Sequence, residues 1–277
     1  MADAMLPEWT HTGYAQQVVL GPRTIERLPE LARALGVRRV LLVTTAGRLA
    51  SDDGQRVVKA LGRTLASTFA DVTSHVPTDL VQAALMQARR DGTDGIVSFG
   101  GGSCADLAKA VAFFTEQEAG TPGASFFDRP AVPHISIPTT YSGAELTAGF
   151  GMTDPRTRQK SGAGGPTSAP SVAVYDLTAT MGLPARTSAE TGMNALAHCI
   201  EAAYSPVRTP EAEAVALAGV SRIVEALPRV VAAPDDERLP GLEGAERAAA
   251  LPEDEEARLI RRGVRPREGA GRILREP

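Results

Sequence analysis

The chain has 277 residues, 43% of them hydrophobic, and 29 Lys and Arg stand against 33 Asp and Glu for a net charge of −4. That length holds one large or two ordinary domains with a substantial core. The slightly acidic balance speaks against a nucleic-acid partner, and the lack of any apolar run of about 20 residues speaks against a membrane span.

Met1 to Thr10 has no basic region followed by an apolar run, so no signal peptide is expected. Residues 15 to 160 then alternate between strand-like and helix-like segments. Ala15 to Leu20 reads as a strand, and about Arg23 to Leu35 as a helix. Arg39 to Thr45 carries a short apolar run of the buried parallel-strand type, and a helix follows from about Leu49 to Leu61. Thr68 to Val72 is a weaker strand. Thr78 is placed as the N-cap of a helix to Arg90, with Leu80, Val81, Ala84, Leu85 and Ala88 on one face. Gly95 to Phe99 is the next strand, Cys104 to Thr115 a helix, and His134 to Ile137 a strand. This rhythm predicts an α/β domain with a mostly parallel sheet.

From Pro184 to about Val231 the pattern turns helical, with one helix over Ser188 to Tyr204. Thr209-Pro210-Glu211 opens another, with Pro at the first helical position. The chain therefore divides into an α/β domain over 1–160, the start of a helical domain over 161–231, and a tail over 232–277. The tail is rich in charge and has no aromatic residue, a composition that cannot offset the entropy of ordering. Cys104 and Cys199 sit in unrelated segments and read as reduced thiols of a cytoplasmic protein.

Gly100-Gly101-Gly102-Ser103 lies between a strand and a helix. Glycines let a backbone approach a pyrophosphate, and a helix start presents free N–H groups and a positive dipole end. Asp106 follows Ser103 at a capping-box-like spacing. The cluster is not the Gly-x-Gly-x-x-Gly fingerprint, and a tight turn without a ligand is the plain alternative. Pro138-Thr139-Thr140-Tyr141-Ser142-Gly143-Ala144-Glu145 follows the next strand, where ligand loops of open α/β sheets sit, though it could be a simple hydroxyl-rich turn. Gly151-Met152-Thr153-Asp154 and then Lys160 form a third group, in which a lone Lys is ordinarily a solvated charge. In the helix over Thr191 to Tyr204, Asn194 and His198 lie four residues apart among Met193, Leu196, Ala197 and Ile200. That spacing reads as a polar pair turned inward on an apolar face. Without a ligand, His198 would be a satisfied core histidine.

The helix segment Gly192-Met193-Asn194-Ala195-Leu196-Ala197-His198 resembles the metal-site helix of the group III, iron-type alcohol dehydrogenases. Its Asn, where most members carry Asp, resembles the maleylacetate reductase branch. The likeness runs from about Tyr14 to about Val231. It implies a Rossmann-like parallel-sheet domain followed by an all-helical domain, incomplete here. It also implies NAD(P)H-dependent reduction of maleylacetate to 3-oxoadipate in aromatic compound degradation. Gly100, Gly101, Gly102, Ser103 and Asp106 would form the phosphate loop. Thr139, Thr140 and Ser142 would line the nicotinamide half, and Lys160 would meet the nicotinamide ribose. Thr45 would meet the adenine half. No acidic residue stands at that strand end, so NADPH is expected to be tolerated beside NADH. His198 and Asn194 would act on a small dicarboxylate, and Arg186 is a candidate carboxylate partner, although a surface Arg is the simpler reading. The family supplies two more His ligands further on, but no His follows His198. A metal is therefore not expected, and a homodimer is left open.

Two alternatives stand beside this reading. One is a metal-dependent alcohol or polyol dehydrogenase of the same superfamily, which would want Asp at 194. The other is a non-catalytic remnant that only binds nucleotide. The tail reads as a translated frameshift or a mis-set gene end, with a natural disordered tail as the alternative. A chain lacking the later helices is expected to leave apolar helix faces against water, to turn over weakly or not at all, and to be poorly soluble.

Overall fold

The computed structural model describes residues 13, 15–181, 183–206 and 208–233. The expected tail, beyond Ala233, lies outside the described residues, as does His11. In chain order the elements are β1 (Gln17–Gly21), α1 (Leu28–Ala34), β2 (Val40–Val43), α2 (Ala46–Ala50), α3 (Asp52–Leu61), β3 (Leu65–Phe69), α4 (Thr78–Arg90), β4 (Gly95–Gly100), α5 (Gly102–Ala119), β5 (His134–Pro138), β6 (Phe150–Thr153), β7 (Lys160–Ala163), β8 (Val172–Asp176), α6 (Ala185–Tyr204) and α7 (Pro210–Ala232).

Six strands form one parallel sheet in the order β1-β8-β5-β4-β2-β3. All residues of β2, β4, β5 and β8 are buried, as expected for strands covered on both faces. The alternation of side chains sends Leu41, Val43 and Ile96 toward α4 and α5. It sends Val40, Leu42, Val97, Phe99, Ile135 and Ile137 toward α1 and α3. Burying these two apolar layers drives the assembly. The remaining strands, β6 and β7, pair as an antiparallel hairpin.

Several local expectations shift. The helix expected over Leu49 to Leu61 is two helices. Ser51 is extended between them (φ −72°, ψ 160°) and its Oγ accepts from Gly54 N at 3.1 Å, so it caps α3 instead of continuing α2. Thr78 is the first residue of α4, not its cap, and Pro77 holds the cap position. The strand expected over Thr68 to Val72 lies over Leu65–Phe69, because pairing with β2 at the sheet edge sets its register. Thr209 does cap α7, with its Oγ1 accepting from Ala212 N at 3.3 Å. The sheet also runs past residue 160: β8 is hydrogen-bonded between β1 and β5, and continuous helix begins only at Ala185.

The C-terminal hairpin of α6 and α7 packs through Leu196, Cys199, Ile223 and Leu227, and meets the sheet region at Tyr141 and Leu183. Its outer side leaves Met193, Ile200, Tyr204, Leu217 and Val224 exposed. No described helix is long and apolar enough to cross a membrane.

One buried carboxylate ties the turn after the first strand to the end of the last. Asp176 Oδ2 accepts from Ile25 N (2.9 Å) and Arg56 Nη2 (3.0 Å), while Oδ1 accepts from Arg23 N (3.1 Å) and Thr178 Oγ1 (2.6 Å). Burial alone would raise this carboxyl's pKa, but the bonds from Thr178 and Ile25 and the charge of Arg56 outweigh it and leave it below the ordinary value. Asp176→Ala should therefore cost about 3 kcal/mol in urea unfolding at neutral pH, the scale for stripping one partner from a buried ionic network. Because the folded pKa is depressed, the contribution is full above the ordinary carboxylate range and fades as pH falls through the folded value. The gap between wild type and variant should thus narrow below about pH 4.

Candidate functional site

The strand order reverses once. From β2 the chain steps outward to β3, and from β4 it steps the other way through β5 to β8. The crevice beyond the carboxyl ends of β2 and β4 is the position where ligands lodge in open sheets of this kind. Three candidate groups, the glycine cluster, the hydroxyl loop after β5 and Thr45, stand at the ends of β4, β5 and β2 respectively.

Gly100 closes β4 at φ +149°, a conformation that side chains with a Cβ rarely adopt. Gly101 then caps α5 with no side-chain bond, so the first N–H groups of an 18-residue helix stay free of a side-chain cap. The hydroxyl loop closes over them. A Cβ on Gly101 would stand 3.2 Å from Thr140 Oγ1, and one on Gly102 would stand 2.9 Å from Ser142 Oγ. The glycines thus permit two loops to meet backbone to side chain. Thr139 N donates to Gly100 O at 3.0 Å, and the buried Thr139 Oγ1 has no hydrogen-bond partner. Free helix N–H groups, a glycine cradle and an orphaned hydroxyl fit a phosphate-bearing dinucleotide.

The floor is set by a lysine that sequence reasoning passed over. Lys109, on α5, is fully buried. Its Nζ lies 2.9 Å from Asp106 Oδ1 and donates to Ala144 O (2.8 Å), Thr147 Oγ1 (3.3 Å) and Gly149 O (2.5 Å). Burial presses its pKa down, opposed by Asp106 and Glu145. Glu145 is also buried, which raises its pKa, and its Oε1 accepts from Tyr175 OH at 2.8 Å. The available signal was Lys109's spacing, three residues after Asp106 on an apolar helix face, and Glu145's place at the end of the hydroxyl run.

Asp106 also accepts from Gly151 N at 3.4 Å, so its carboxylate serves the scaffold. The expected capping box with Ser103 is absent, because the cap falls on Gly101 and Asp106 turns to Lys109. Lys160, on β7, lays its Cε 3.0 Å from where a Gly151 Cβ would be, beside the backbone that Asp106 holds. The structure thus gathers Gly100 to Ser103, Asp106, Thr139, Thr140, Ser142 and Lys160 in one place. Cys104, in the same helix turn, is buried with its thiol pushed up to about 12, an unreactive form.

The polar pair of α6 corrects the inward reading. Asn194 and His198 are exposed, and the buried positions of the helix are Ser188 and Gly192. Helical period fixed a stripe but not its side. Leu196 and Cys199 turn to α7, which rotates the pair outward. His198 Nδ1 stands 3.4 Å from Glu201. The stripe does begin at the site: Tyr141 N donates to Thr191 Oγ1 at 3.5 Å, and His198 follows two turns later. Arg186 is exposed and paired with Glu190 at 2.7 Å, so its own helix holds it. His134 is buried in the sheet with Nε2 2.7 Å from Ser98 Oγ, and burial pulls its pKa down to about 3.

Among the described residues no group of three or more His, Cys, Asp and Glu could hold a metal ion. Asn194 and His198 by themselves do not fit one.

The model of the family described as iron-containing alcohol dehydrogenase matches residues 15–177. The chain is 34% identical over 228 residues to maleylacetate reductase from Rhizobium sp. (strain MTP-10005), covering 82% of this chain and 60% of that protein. It is also 34% identical over 219 residues to 4-hydroxybutyrate dehydrogenase from Cupriavidus necator, covering 76% of this chain and 56% of the relative. Among solved structures, maleylacetate reductase from Agrobacterium tumefaciens superposes with a TM-score of 0.76 at 32% identity, over 88% of this chain and 65% of that one. The chain spans about three fifths of the length of such curated relatives. The family's iron-containing description lends no support to the expectation that a metal is absent. With more than half of its length matched by that model, the chain belongs to the iron-containing alcohol dehydrogenase family.

Proposed function

We propose that the chain carries the dinucleotide half of an NAD(P)H-dependent reductase acting on maleylacetate. The observation that carries the reading is the glycine cradle at the strand-order reversal, closed by Thr140 and Ser142. The likeness to maleylacetate reductases supports the choice of substrate. Bound NAD(P)H would supply the hydride.

In this reading the N–H groups at the start of α5 and the side chains of Thr139, Thr140 and Ser142 hold phosphate and ribose oxygens. Lys160 adds a positive charge at the rim. Lys109 keeps the hydroxyl loop in place, so those donors are fixed before the substrate arrives. Hydride addition to the activated double bond of maleylacetate leaves an enolate. His198 and Asn194, on the stripe that starts at Tyr141, would donate to it. A neutral Asn there suits a dianionic substrate, because an Asp would repel it.

A second reading, nucleotide binding without turnover, is favoured by the exposure of Asn194 and His198. Oxidation of NADH or NADPH by the purified chain with maleylacetate separates the two. Turnover of succinic semialdehyde, but not of maleylacetate, would overturn the substrate assignment.

Two variants test the cradle. Gly102→Val places branched carbons against Ser142, and NADH affinity, read by nucleotide fluorescence, should fall roughly tenfold or more, the scale of one charge-assisted hydrogen bond. Unchanged affinity in a folded variant rejects this placement. Lys109→Met strips the donor from the carbonyls of Ala144 and Gly149 and leaves Asp106 without its cation, and should lower stability by about 3 kcal/mol in urea unfolding. Below its own melting temperature, the variant should still bind NADH more weakly than wild type.

A further inference from the structure

If a pyrophosphate rests on the β4 side of the crevice, the nucleoside beyond it meets the neighbouring strand end, which is that of β2. In parallel dinucleotide folds an acidic residue at that strand end binds the ribose 2′-hydroxyl, and an Arg nearby accepts a 2′-phosphate. The end of β2 itself carries no acid, and an Arg follows it in α2. Thr44 is buried, and its Oγ1 donates to Phe99 O at 2.7 Å, binding the strand ends together. Thr45 caps α2, its Oγ1 accepting from Arg48 N at 3.1 Å. From Thr44 to Ser51 the only charged residue is Arg48.

Arg48 is partly buried, and its side chain makes no ion pair among the described residues. The carboxylate whose field reaches it, Asp53, is taken by Arg56 Nη1 at 2.7 Å. The field of Arg48 also reaches Cys104, in the first turn of α5, the helix that begins in the cradle. Removal from water weakens its charged form. A guanidinium so placed, without a carboxylate of its own, gains from an anion, and phosphate matches its fork of donors. The competing determinant is Asp71, an exposed acid whose backbone bridges to Thr45.

We propose that Arg48 selects the cofactor by holding the 2′-phosphate of NADPH, so that the chain prefers NADPH to NADH. This rests on the dinucleotide reading of the cradle.

The test is equilibrium binding of NADPH and NADH to the full chain, with 2′,5′-ADP and 5′-AMP as redox-silent probes. The wild type should bind NADPH, and 2′,5′-ADP over 5′-AMP, roughly tenfold or more tighter, the scale of a hydrogen bond to a charged group. Arg48→Leu should erase that margin and leave NADH affinity within about twofold. Thr45→Asp keeps a good helix cap and adds the acid, so it should reverse the preference. An NADPH-to-NADH ratio that Arg48→Leu does not move, or a wild type that favours NADH, overturns the role of Arg48 while the cradle reading stands. Failure of the wild type to bind either nucleotide overturns the cradle reading, and this one with it.

Discussion

The ammonium group of Lys109 is shut away from water, and its donors are spent on Asp106 and on the loop from Ala144 to Gly149. Burying such a charge costs several kcal/mol unless every donor is matched. Here the matching partners come from two elements that the chain could otherwise leave apart, the helix after β4 and the loop after β5. The cost is offset only while both are in place. That condition makes the hydroxyl loop a rigid wall, and it brings Thr140 and Ser142 down onto Gly101 and Gly102. Opening the loop would cost Lys109 its partners at Ala144, Thr147 and Gly149, so the loop stays seated over Gly101 and Gly102.

The same economy governs the strand ends. Thr44 spends its hydroxyl on Phe99 O, which joins β2 to β4 where the strand order reverses. Thr139 N joins β5 to the carbonyl of Gly100. Three adjacent carboxyl ends are thus locked side by side, and the loops leaving them converge by construction. Asp176 does the corresponding work at the end of β8, gathering the turn before α1 and the side chain of Arg56 from α3. The fold therefore holds the carboxyl ends of its strands by polar bonds and its two faces by apolar packing.

These two kinds of force explain what the residues disclosed in advance. Buried parallel strands must be apolar on both sides, so Val40 to Val43 and Gly95 to Phe99 announce themselves, and the α/β class with its parallel sheet follows. The glycine cluster is equally plain, because few other residues tolerate that backbone. Lys109 was not plain. A helical lysine is ordinarily solvated, and only the fold brings the carbonyls of Ala144 and Gly149 to it. The break at Ser51 was hidden for a related reason, since a serine can either continue a helix or cap the next one.

The orientation of α6 shows where sequence periodicity stops. A spacing of four places Asn194 above His198, but two sides of this helix carry apolar residues, and α7 covers only one. Leu196 and Cys199 take that side, and Gly219 of α7 lets the Cys199 sulfur approach. The other side, with Met193 and Ile200, keeps the polar pair in the open. This placement has a chemical consequence. His198 is open to solvent, whereas His134 is buried against Ser98, and burial draws its pKa down to about 3 so that it stays neutral. In the proposed reaction His198, rather than the buried His134, would meet the enolate. It also lies on the stripe that Thr191 anchors to the hydroxyl loop. The buried scaffold fixes the strand ends and the hydroxyl loop, while the stripe on α6 leaves Asn194 and His198 open to solvent.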